Sequence, residues 1–143
     1  MRFDKRITAI RTDIASDYFK GLIKKKKFVK GKKHTVISAY SPLYSLKNSK
    51  LSTQLLYGEE CNVYESSNGW SWVQSLRDNY VGYTPTKNLK KIKFHPTHKI
   101  ISLRTFIYSS SNIKSDVVNY LSFNSLVEVS GKKDSFYKIK NLG

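Results

Sequence analysis

The chain has 143 residues, with 26 Lys and Arg against 10 Asp and Glu, and a formal net charge of +16. That length fits one ordinary domain or two small ones. A hydrophobic share of 39%, with ten Tyr, seven Phe and two Trp, excludes global disorder, and a single Cys excludes an internal disulfide framework.

The charge is uneven. Residues 1–33 hold twelve Lys/Arg against three Asp, including Lys24, Lys25, Lys26, Lys27, Lys30, Lys32 and Lys33. Such a run attracts polyanions, whether nucleic acid, anionic lipid or an anionic cell-wall polymer. The plainer reading is a solvated surface in a Lys-rich sequence, since Lys outnumbers Arg by 21 to 5. The start, Met1-Arg2-Phe3-Asp4-Lys5-Arg6, lacks the apolar stretch of a signal peptide. No apolar run reaches the roughly 18 residues of a membrane span. The default expectation is therefore cytoplasmic, with cell-wall association as the other option.

In chain order, residues 10–21 predict a short helix. Thr12 or Asp13 would cap it, Ile14, Ala15, Tyr18 and Phe19 would form its apolar face, and Gly21 would stop it. From His34 the pattern turns to strands. Val36–Tyr40 is rich in β-formers, Ser41-Pro42 reads as a break, and Leu43-Tyr44-Ser45 resumes. Lys47-Asn48-Ser49-Lys50 reads as a polar loop, and Gly58-Glu59-Glu60 as a turn. Cys61 and Val63 alternate with polar neighbours as in a half-buried strand. Ser66-Ser67-Asn68-Gly69 is a hairpin loop. Trp70 and Trp72 alternate with Ser71 and Val73, and the two Trp are expected to be split between core and surface, with at most one facing out. Tyr80–Pro85 reads as a strand, followed by a 3₁₀ turn at 86–89. Short strands at this spacing predict a small antiparallel barrel or sandwich.

The second half repeats the first. At an offset of 66 residues Leu55 matches Leu121, Tyr57 Phe123, Cys61 Val127, Val63 Val129, Trp70 Phe136 and Val73 Ile139; Pro42–Ser45 also resembles Phe106–Ser109. The expected fold is mainly β: two SH3-like barrels in tandem, the second incomplete, behind a short helical N-terminal arm. The expected divisions are 1–33 for the arm, 34–93 for the first barrel and 94–143 for the second. Residues 78–89 have no counterpart before Gly143, so the second barrel is expected to have an open edge: either the chain is a fragment, or another chain or the arm covers it.

Three strings, Gln54-Leu55-Leu56-Tyr57-Gly58-Glu59, Gly69-Trp70-Ser71-Trp72-Val73-Gln74 and Asp78-Asn79-Tyr80-Val81-Gly82-Tyr83, resemble the bacterial SH3 domain. The order of these strings, the arm and the linker Pro96–Ile100 together resemble the N-terminal region of NlpC-type cell-wall cysteine peptidases of the dipeptidyl-peptidase group. That resemblance implies tandem SH3 domains ahead of a papain-like domain with a Cys nucleophile and His partners. It also implies cleavage of peptidoglycan peptides between γ-D-glutamyl and a diamino acid, with the first SH3 domain helping to wall the substrate cleft. The papain-like domain is absent from these residues and would act in cis or in trans.

No catalytic residue is expected within the chain. Cys61 takes an alternating strand position whose repeat partner is Val127, so it reads as a core residue rather than a nucleophile. His95 and His98 lack the Cys or carboxylate company of a zinc site, and His34 is isolated. No Ser, His and Asp are placed as a triad, there is no phosphate loop, and neither metal nor cofactor is expected. The candidate ligand-binding residues are Asp78, Tyr80 and Tyr83 on the rim string, with Glu59 as a second carboxylate for a free amine. Peptidoglycan stem peptides are the expected ligand. The alternative is a nucleic-acid-binding small barrel that uses its basic arm.

Overall fold

A computed structural model describes residues 2–47 and 49–143; Met1 and Asn48, the latter in the expected 47–50 loop, lie outside the described residues. The strands in chain order are β1 (Ile14–Ser16), β2 (Lys27–Val29), β3 (Lys32–Val36), β4 (Tyr40–Tyr44) and β5 (Leu51–Leu56). They continue as β6 (Glu60–Ser67), β7 (Trp70–Ser75), β8 (Val81–Pro85), β9 (Leu89–Lys90) and β10 (His98–Lys99). The last five are β11 (Arg104–Tyr108), β12 (Val117–Ser122), β13 (Leu126–Val127), β14 (Val129–Lys133) and β15 (Phe136–Ile139). The structure is mainly β.

Seven strands form one sheet in the order β5-β4-β8-β7-β6-β3-β9. Flat, that order would set β8 and β9 four strand spacings apart, about 19 Å. Only the 3₁₀ turn Thr86–Asn88 joins them, and such a turn rises roughly 6 Å. The sheet must therefore roll until β9 meets β3, pairing Val36 with Leu89. The inside of the roll is filled by Val36, Leu43, Leu55, Cys61, Val63, Val73 and Leu89, with Tyr80 packed against them. Pro42 does not break the strand: it lies within β4, opposite Gln54. Beside it β8 meets β4 at a single pair, Tyr44 and Tyr83, so no ladder donor is lost where Pro lacks one.

The expected helix at 10–21 is not formed. Ile14–Ser16 is a strand paired in parallel with Lys27–Val29, and only Asp17–Phe19 turns, as one 3₁₀ turn. Ser16 caps that turn by accepting from the Tyr18 N–H, and Gly21 ends it in the left-handed region. The reason is tertiary. A helix buries one stripe, yet Ile14, Ala15 and Ser16 are all buried in succession. Ile14 packs with Ala9, Tyr64, Trp72 and Val81 on the outer face of the roll, and burial of consecutive side chains favours extended backbone over a single amphipathic turn. The arm is thus an extra layer on the sheet. Arg11 fastens it, donating to Asp13, to Glu65 at 2.7 Å and to the Tyr83 hydroxyl at 3.1 Å, with its guanidinium over Trp72.

Beyond residue 93 the same ladders recur. β4 and β5 pair Tyr40 with Leu56 and Ser41 with Leu55, with a register shift after Leu43. β11 and β12 pair Arg104 with Ser122 and Thr105 with Leu121, with the shift after Ile107. The β6–β7 hairpin shifts after Val63, and the β14–β15 hairpin after Val129. Positive φ recurs too, at Gly58 and Asn124, and at Asn68 and Asp134. The T-shaped pair Tyr44–Trp70 is matched by Tyr108–Phe136, each with ring centroids 5.8 Å apart. The second unit, however, has three separate two-stranded ladders rather than one sheet.

Candidate functional site: the cleft between the two β units

The two units share a core. Tyr57, on the turn after β5, is buried among Phe94, Leu121, Val127 and Leu142. Its carbonyl accepts from the Leu126 N–H at 2.9 Å, and its hydroxyl accepts from the Leu142 N–H at 3.3 Å. Burial raises the Tyr57 phenol above its ordinary value. Gly58, next in the turn, has φ +82°, and a Cβ there would run into the Leu126 carbonyl. Glycine is therefore required at this position both by the turn and by the close approach of the second unit.

Beside this contact lies a cleft of about 390 Å³ lined by Gly58, Glu59, Glu60, Leu76, Arg77, Pro96, Lys99, Asn124 and Leu126. Its floor carries an acid. Glu59 is only 4% exposed. One carboxylate oxygen accepts from the Leu56 N–H at 3.0 Å, and the other meets the Arg77 guanidinium at 3.2 Å. Burial is the largest influence and raises the Glu59 acid above its ordinary value, against the Leu56 N–H and the Arg77 charge. The cleft is mixed in sign: Glu59, Glu60, Arg77 and Lys99 all line it, with Arg77 in contact with Glu59. Glu60 is also paired with Lys33 of the basic segment at 2.8 Å.

The candidate residues fall into two places. Glu59, Asp78 and Tyr80 are linked through Arg77, which donates to Asp78 at 3.2 Å, while Asp78 accepts from the Tyr80 N–H at 3.2 Å. Asp78 and Tyr80 stand behind Arg77 and do not line the cleft; Tyr80 packs on the core of the roll. Tyr83 lies elsewhere, under the arm, held by Arg11. Arg77, Lys99, Asn124 and Leu126 were not singled out from sequence. Arg77 did carry a signal, as the only Arg between Arg11 and Arg104 in a chain that otherwise uses Lys.

The other residues weighed are structural. Cys61 is buried and its thiol is pushed up to about 12 by that burial, so it is no thiolate at neutral pH. Trp72 is buried and Trp70 half-buried. His98 is in β10 and packs on Tyr137, and the His95 N–H donates to Glu128. Among the described residues, no three His, Cys, Asp or Glu come together as a metal site, and no helix is long and apolar enough to cross a membrane.

With this geometry in place, one comparison is decisive for the first unit. Residues 45–89 match the family model of the bacterial dipeptidyl-peptidase Sh3 domain. The likeness to a bacterial SH3 domain read from Gln54–Glu59, Gly69–Gln74 and Asp78–Tyr83 is thereby shown. The match begins just after β4, ends on the first residue of β9 and includes Glu59, Arg77, Asp78 and Tyr80. No curated protein matches the chain.

Proposed function

We propose that the chain is a tandem of SH3-like barrels, over 34–93 and 94–143, that is non-catalytic itself and positions peptidoglycan stem peptides for an NlpC-type cell-wall endopeptidase. The buried Glu59 carboxylate on the floor of the inter-unit cleft carries this reading. Its charge is incompletely compensated, so a peptide ammonium gains more there than at a surface acid. Arg77 and Lys99, which line the same cleft, offer a place for a peptide carboxylate. A stem peptide presents both charges within a few residues. Asp78 and Tyr80 act in this proposal by fixing Arg77. The match to a domain of bacterial dipeptidyl-peptidases supports a papain-like catalytic domain as partner, in cis or in trans, and work at the cell wall.

Isothermal titration with a purified stem peptide bearing a free amine tests the proposal. Binding is expected, with loss of at least tenfold in affinity for the N-acetylated peptide and for Glu59→Gln. Equal affinity of free and acetylated peptides would remove the reading. A second reading, nucleic-acid binding, draws on the exposed Lys24, Lys26, Lys27, Lys30, Lys32 and Lys33. A gel shift that weakens steeply with salt and is abolished by replacing those lysines would favour it instead.

A further inference from the structure

The arm carries an ordered turn that shares no residue with the cleft at Glu59. Ile14 of β1 packs on Tyr64 and Trp72, and β2 returns parallel beside β1. The chain between them turns over residues 17–23. Backbone bonds fix its shape: the Lys20 N–H donates to the Asp17 carbonyl at 3.0 Å, and the Leu22 and Ile23 N–H groups donate to that of Phe19 at 3.0 and 3.3 Å. Gly21 takes φ +86°, which lets the chain reverse.

Two large apolar side chains stand in water on this turn. Tyr18 is 76% exposed and Leu22 66%. Neither is loose: the Phe19 ring lies edge-on to Tyr18 at 5.1 Å and to Phe3 at 5.5 Å. Lys20, Lys24, Lys26 and Lys27 flank the pair in sequence and are exposed. None of the four is in an ion pair among the described residues. Carboxylates are scarce here. Asp13 is held by Arg11 at 2.6 Å, Asp17 is the acid of the turn itself, and the sequence from Tyr18 to Gly58 holds none.

We propose that this turn is a membrane-contact element, which seats Leu22 and the Tyr18 ring in the surface of a bilayer rich in anionic lipid, with the flanking lysines on the headgroup phosphates. Interfacial binding grows with the apolar area buried and with attraction to anionic headgroups, and the turn supplies both. A Tyr ring suits headgroup depth, since its face is apolar and its hydroxyl stays wet. Lys stems lie along apolar surface while their ammonium groups remain among the phosphates. The apolar pair decides between polyanions. Lysines alone would suit nucleic acid, but Leu22 has no π-face to stack on a base and gains only where hydrocarbon is at hand. Because the turn is already ordered, little freedom is lost on docking. The contact is peripheral and requires no spanning segment.

Flotation of the full 143-residue chain with lipid vesicles tests the proposal. Vesicles of phosphatidylglycerol and phosphatidylcholine in equal parts are expected to carry the chain, and phosphatidylcholine alone is expected not to. Tyr18→Ser combined with Leu22→Ser leaves the charge unchanged and should weaken binding roughly tenfold or more. Lys24→Gln, Lys26→Gln and Lys27→Gln together should do the same. All five side chains are exposed, so both variants are expected to keep the parent's Trp fluorescence. A separate variant, Leu22→Trp, should gain a blue shift on adding the anionic vesicles that the parent lacks. The proposal is overturned by no flotation with the anionic vesicles, by equal flotation with phosphatidylcholine alone, by undiminished binding of the Tyr18 and Leu22 variant, or by no blue shift. It is also overturned if a single-stranded oligonucleotide binds more tightly than the vesicles at the same salt and the Tyr18 and Leu22 variant binds it as the parent does, which would assign the lysines to nucleic acid. None of these outcomes depends on peptide binding at Glu59.

Discussion

At the scale of single residues, Glu59 is held in a state that costs stability. Its acid is raised above the ordinary carboxylate value by burial, so the folded chain binds the proton more tightly than the unfolded chain does. Stability from this group is greatest below the ordinary value and declines as pH rises through the folded value. Glu59→Gln keeps an acceptor for the Leu56 N–H and removes the charge. Its melting temperature is expected to exceed the parent's at pH 7–8 and to converge with it near pH 4, while ligand affinity falls. A variant equally destabilised at every pH would show that the Arg77 pair outweighs the burial cost. Asp13 has the opposite sign. The Arg11 hydrogen bond lowers it to about 2, so its contribution is present at neutral pH and lost as pH falls from 3.8 toward 2. Because Arg11 sits over Trp72, acid should change Trp fluorescence before global unfolding, and Arg11→Ala should abolish that early phase. Glu59 was legible in the sequence as an acid after a turn, but its burial was not, because its partner Arg77 is brought to it by the fold and not by a local pattern.

At the scale of elements, the arm and the inter-unit turn set the architecture. Arg11→Lys loses the planar fork that reaches Asp13, Glu65 and Tyr83 together. A loss of about 1–2 kcal/mol is expected, with faster proteolysis before residue 30. A variant with unchanged cleavage would place the arm's hold in Ile14 and Ala15 alone. Gly58→Ala forces a left-handed backbone on a residue with a Cβ and drives that Cβ into Leu126. It should cost at least about 1–3 kcal/mol and be visible as a drop in chemical denaturation midpoint; Gly69→Ala, with open space around it, should cost less. The β elements from Cys61 to Tyr83 were readable because their apolar residues alternate at period two and their turns carry Asn and Gly. The arm misled for a physical reason: Ile14, Ala15, Tyr18 and Phe19 satisfy a helical spacing, but their burial is decided by Tyr64 and Trp72, which come from strands some 50 residues on.

At the scale of the whole molecule, Tyr57 belongs to the first unit by sequence and to the second unit's core by packing. The chain should therefore unfold in one transition by both Trp fluorescence, which reports the first unit, and amide exchange over 117–139. Tyr57→Ala removes the shared ring, at about 3–5 kcal/mol, and should separate the two signals. Coincident curves in the variant would mean that the units are coupled elsewhere. The sequence by itself determined the β class, the repeat and its offset, and the string that matches a bacterial SH3 domain, because alternation, turn chemistry and duplicated apolar positions are local records of which face is dry. Only the tertiary structure decided that the arm is extended, that Arg77 joins Glu59 to Asp78, and that a cleft lies between the units. Those facts rest on contacts between residues far apart in the chain, which no local pattern encodes.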